Sequence, residues 1–114
     1  MFAHIRETGS ALGMAGFLVL ALIVGPVMEE VIFRGYLQSA FARRFPKWGA
    51  ISITSFLFMA GHSPTILWPI YFIYSIAWGW IFMHTKSLKM AIAIHMLSNL
   101  FYTVVSVMGW EILA

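Results

Sequence analysis

The chain has 114 residues, of which 61% are hydrophobic and 10% charged, with a formal net charge of +3 and a mean hydropathy of +0.88. Soluble domains carry about 25% charged residues, so one integral membrane domain covering residues 1–114 is expected. Cysteine is absent, which excludes disulfides, thiolate metal sites and a cysteine nucleophile.

Five apolar segments follow one another. The first, residues 10–24, has the length of a signal-peptide core but no small-residue cleavage site after it, and is expected to be a retained helix. Gly25-Pro26 should end it, because proline removes a backbone donor and breaks or kinks helices. The second segment covers residues 28–45 and stops at Pro46-Lys47. The third, "WGAISITSFLFMAGH" at residues 48–62, is closed by Ser63-Pro64. The fourth covers residues 67–84 and the fifth residues 88–108. Several fall short of the ~20 residues an upright crossing needs. The expected fold is therefore an all-α polytopic membrane bundle of four to five tilted, kinked or partly embedded helices.

Basic residues cluster at Arg43, Arg44 and Lys47, and again at Lys86 and Lys89. Two segments separate the clusters, so both reach the same side, the cytoplasmic one under the positive-inside rule. The basic residues are few and the aromatic ones lie within the apolar runs, so no nucleic-acid partner is expected. His4 and His84 are expected at solvent or lipid headgroups.

Ionisable groups inside apolar helices are costly and usually functional. Here they are Glu29, Glu30, Arg34, His62 and His95, with Asn99 as a polar companion. Glu30 and Arg34 lie about 40° apart around a helix and can pair as a structural brace, whereas Glu29 is about 140° from Arg34. Glu29 is thus the carboxylate left for proton transfer. His95 and Asn99 share one helical face, which suits either an interhelical hydrogen bond or an oxyanion site. Glu29, His62 and His95 also have the chemistry of a zinc-binding His2Glu set, although no H-E-x-x-H helix is present. His95 lies two turns from Lys89, while His62 closes a helix starting near Lys47. For both to share a site, the third helix must tilt or the fifth must enter from a recessed loop.

These residues resemble the intramembrane endopeptidases grouped as CAAX protease and bacteriocin-processing enzymes. "EEVIFRG" at residues 29–35 looks like their E-E-x-x-x-R motif, "FMAGH" at 58–62 their F-x-x-x-H motif, and "HMLSN" at 95–99 their H-x-x-x-N/D motif. The glycine, threonine and Ser-Leu run before His95 is similar as well. The resemblance covers approximately residues 10–108 and implies the core of a family whose members usually carry further membrane helices.

The resemblance implies hydrolysis of peptide bonds at or within the membrane. Glu29 would be the general base, assisted by His62, with His95 and Asn99 as the oxyanion site and Glu30 and Arg34 as support. A glutamate-and-water mechanism without a cofactor is favoured; zinc on Glu29, His62 and His95 is the alternative. The expected partners are the lipid bilayer and a peptide or membrane-protein substrate, and the expected location is the bacterial cytoplasmic membrane. The alternative function is a non-catalytic bacteriocin-immunity or scaffold protein of the same group.

Overall fold

A computed structural model describes residues 11–113, with side chains described through residue 109. His4 and residue 10, where the first segment was expected to start, lie outside the described residues. Four helices make up the described chain: α1, Ala11–Ala42; α2, Lys47–Ala60; α3, Trp68–Thr85; and α4, Leu88–Leu113. A short 3-10 turn, Thr65–Leu67, leads into α3. The architecture is an all-α membrane bundle. Among the described residues, three helical stretches are long and apolar enough to cross a membrane: Ala11–Ala42, Thr65–Thr85 and Leu88–Gly109.

Gly25-Pro26 does not end a helix, contrary to the sequence expectation; the first two segments are one continuous helix. Two π-helical stretches, Leu20–Val24 and Val31–Gln38, are set into it. The first carries the chain through the proline. The Gly25 N–H reaches back five residues to the Leu20 carbonyl, and Pro26 is the second residue of the next α-helical stretch, where its lack of a donor is tolerated. Glycine is needed here, since a Cβ on residue 25 would lie 2.8 Å from the Leu20 oxygen.

α2 has only 14 residues, about 21 Å of helix, and is the centre of the packing. It buries Ala50, Ile51, Thr54, Ser55 and Phe58. Contacts at both ends fix the directions of the helices. Arg34 meets Ser75 and Gln38 meets Gly79, so α1 and α3 run parallel. Phe58 meets Phe33 and Trp78, and His62 meets Glu29 and Tyr71, so α2 runs antiparallel to both. The two basic clusters consequently lie at one end of the bundle.

The helix α4 starts after Lys86, whose left-handed backbone (φ 53°) turns the chain, and Ser87 caps it by accepting the Met90 N–H at 3.2 Å. A Cβ on Gly35 would be 3.5 Å from Leu88 Cδ2, so α4 sets in beside residue 35, well short of the end of α1. This recessed entry brings His95 level with His62. The exterior is apolar, with Ile23, Val31, Leu97, Phe101 and Val105 among many exposed hydrophobic residues. The interior is comparatively polar: Glu30, Arg34, Gln38, Thr54, Ser55, Ser75 and His95 are all buried. That inversion suits a bundle whose outer surface faces lipid.

Candidate active site

Glu30, Arg34 and Gln38, four residues apart, form a buried polar stripe along α1. Arg34 Nη1 donates to Glu30 Oε2 at 3.1 Å. Its Nη2 donates to the carbonyl and hydroxyl of Ser75 on α3. The guanidinium carbon lies 5.4 Å from the Phe58 ring centre and 5.7 Å from that of Trp78. Gln38 Nε2 donates to the Gly79 carbonyl at 3.1 Å. A planar five-donor guanidinium fits this many-sided environment, whereas an ammonium does not.

Glu30 also reaches α4, accepting from His95 Nδ1 at 2.7 Å through the same oxygen that accepts from Arg34. That oxygen already accepts from Arg34, so the bond assigns the proton to His95 Nδ1 and leaves Nε2 to face Glu29. Trp78 lies flat against the other side of the imidazole, with ring centres 3.7 Å apart at 15°, and is held by its own N–H on Ser98 Oγ at 3.3 Å.

His62 sits in the loop after α2. Its Nδ1 donates to the Phe58 carbonyl at 2.5 Å, which likewise leaves Nε2 pointing away from the helix. Phe58 stacks on it with ring centres 4.2 Å apart, and the Trp68 indole N–H secures the His62 carbonyl at 2.8 Å. The Glu29 carboxylate is the largest influence on the His62 pKa and raises it. Partial burial opposes this, and the Phe58 carbonyl adds to it.

Glu29 itself is half-buried. Its Oε2 lies 3.6 Å from His62 Nε2 and 3.6 Å from His95 Nε2. Three lone-pair-bearing atoms thus face one point, with both imidazole protons held on the far sides. Such a point attracts a hydrogen-bond donor: a water molecule or an added proton. The donor types match a zinc-binding His2Glu set. Among the described residues, no group of three or more His, Cys, Asp and Glu side chains forms a metal site; were zinc bound, Glu29, His62 and His95 would hold it and it would polarise the attacking water.

Glu29, His62, His95 and Asn99 line one pocket of about 280 Å³, together with Phe17, Tyr71, Tyr74 and Tyr102. The structure thus brings together all four candidate site residues named from the sequence, and sets Glu30 and Arg34 behind them. Asn99 Nδ2 donates to the Ala21 carbonyl at 3.1 Å, so the interhelical bond considered for it exists, on the pocket wall. His84 lies apart and exposed, stacked on Trp80. Sequence reasoning did not single out Gln38, Ser75, Trp78 or Tyr71. Of these, only Gln38 carried a signal, as the third polar residue at four-residue steps.

Residues 11–101 match the family model of type II CAAX prenyl endopeptidase Rce1-like proteins. The chain is also similar to the membrane-embedded CAAX protease MroQ of Staphylococcus aureus (strain USA300). The two are 33% identical over 107 residues, which cover 85% of this chain and 42% of that protein. The chain thus spans less than half the length of that relative. No solved structure matches it.

Proposed function

The chain belongs to the Rce1-like type II CAAX prenyl endopeptidase family, and on that premise we propose that it hydrolyses peptide bonds of membrane-associated substrates with water activated by Glu29. It is an integral membrane protein by family and by its three long apolar helices; the bacterial cytoplasmic membrane is the proposed location. The observation that carries the reading is the convergence of Glu29 Oε2 with the inward-facing Nε2 atoms of His62 and His95, 3.6 Å from each.

In the proposed reaction, a water held at this point gives a proton to Glu29 while its oxygen adds to the scissile carbonyl carbon. Negative charge then develops on the carbonyl oxygen. The Asn99 amide donates to it, and so does His95 when Nε2 is protonated, a cation that Glu30 on its Nδ1 side balances while Glu29 carries the proton taken from water. As the C–N bond breaks, the departing amine takes up the proton from Glu29, with His62 relaying it. Glu30 and Arg34 touch no substrate; they hold His95 in place. A peptide or the tail of a membrane protein is the proposed substrate, since the pocket mixes this polar group with aromatic walls.

Cleavage of a reporter peptide by wild type, Glu29→Gln and His95→Ala tests the reading. Glu29→Gln is expected to lose at least ~100-fold in kcat, in line with removal of a general base. Full-rate cleavage by Glu29→Gln would defeat the assignment. Protection of cells from a bacteriocin by that same inactive variant would instead favour a non-catalytic role.

A further inference from the structure

A Gly-Pro pair in the middle of a 32-residue membrane helix, three residues before Glu29, needs an explanation. The site as described does not use it. Its effect on the backbone is specific. In an α-helix the Ala21 carbonyl would receive the N–H of residue 25, but the Gly25 N–H goes to Leu20 instead. In the π register that results, the donor for Ala21 would be residue 26, which is a proline and has none. Both intrahelical donors are thereby withheld from one carbonyl. That carbonyl accepts the Asn99 amide from α4 at 3.1 Å.

We infer that Gly25 and Pro26 are positioning residues for Asn99: together they open the Ala21 carbonyl so that it holds one amide proton of Asn99 and directs the other into the pocket. The inference rests on the reading of Asn99 as an oxyanion donor. A carbonyl can only accept, so the bond fixes which end of the Asn99 side chain is NH2. Ala21 and Asn99 both line the pocket, and one carbonyl cannot engage both amide protons. The second proton stays available to a developing oxyanion. The glycine is part of the device, because a Cβ at residue 25 would meet the Leu20 oxygen at 2.8 Å and push the helix out of the π register.

Pro26→Ala is the decisive variant. It restores an N–H that competes for Ala21, while removing a poor helix former. Residue 26 touches no substrate, so a purely structural role predicts unchanged turnover with equal or greater stability. The inference predicts a kcat lowered about tenfold or more, part of the 100-fold or greater loss typical of a removed oxyanion donor. KM should stay within about twofold, and thermal stability should be undiminished. In an Asn99→Ala background, Pro26→Ala should cost nothing further.

A readout independent of turnover is the isotope-edited infrared band of the Ala21 carbonyl. Asn99→Ala should shift it upward in the wild-type background and leave it unmoved in the Pro26→Ala background. Wild-type kcat in Pro26→Ala, multiplicative losses in the double variant, or equal infrared shifts in both backgrounds would each overturn the inference. If those results came with an inert Glu29→Gln, the catalytic reading would stand and only the positioning role would fall. Full activity in Glu29→Gln would remove both.

Discussion

Glu30 Oε2 accepts the His95 Nδ1–H at 2.7 Å, tying α1 to α4 across 65 residues of sequence. The same oxygen neutralises Arg34, which is wholly buried. Glu30→Ala would leave that cation without its counter-charge, and breaking a buried pair in this way costs about 3–5 kcal/mol. Unfolding in detergent should register a loss of that order, together with loss of activity. Glu30→Gln keeps the acceptor oxygen, losing only the charge, and should be milder. A Glu30→Ala protein as stable as wild type would contradict this account of the core.

Gly79 offers a test of close packing between α1, α2 and α3. A Cβ there would lie 2.5 Å from Gln38 Oε1 and 3.2 Å from Ile51 Cγ2. Gln38 cannot swing away freely, because its Nε2 is bonded to the Gly79 carbonyl. Overpacking of this kind typically costs about 1–3 kcal/mol. Gly79→Ala should therefore lower the thermal midpoint, whereas Gly16→Ala, with nothing within 4 Å of the new Cβ, should not. Equal midpoints for the two variants would argue against the close approach.

The pH behaviour of His62 follows from Glu29. The folded-state pKa of His62 is raised above its ordinary 6.5, chiefly by that carboxylate. Their interaction is fully present below the unfolded value of about 6.5 and is lost as pH rises through the higher folded value. An NMR titration should place His62 above 6.5 in wild type and lower in Glu29→Gln. An unchanged His62 titration in Glu29→Gln would show that the two groups do not interact.

Metal content can be measured directly. The glutamate-and-water reading expects purified protein to carry zinc well below one ion per chain by elemental analysis. It also expects cleavage to survive removal of divalent ions by a chelator. One zinc per chain, lost along with activity in Glu29 or His95 variants, would transfer the chemistry to a metal.

Local spacing and long-range contact differ in how far sequence reveals them. Glu30 and Arg34 stand one helical turn apart, so their contact is within reach of helical geometry alone. The bond from Glu30 to His95 and the stacking of Trp78 on His95 join residues that only the packed bundle brings together. The recessed start of α4 was one of two arrangements that sequence reasoning left open, and Leu88 beside Gly35 selects it. Gly25-Pro26 misled because a proline's cost assumes an α-helical register; a switch to π register removes most of that cost. Trp78 and Ser75, lying in an apolar helix with no periodic polar stripe, carried no signal of their own.

Mass spectrometry of peptides released from membranes containing either the wild-type chain or Glu29→Gln tests the central claim most directly. The account predicts defined cleavage products of a membrane-associated peptide with wild type and none with Glu29→Gln, at equal amounts of folded protein. The same products at the same rate from both would contradict it.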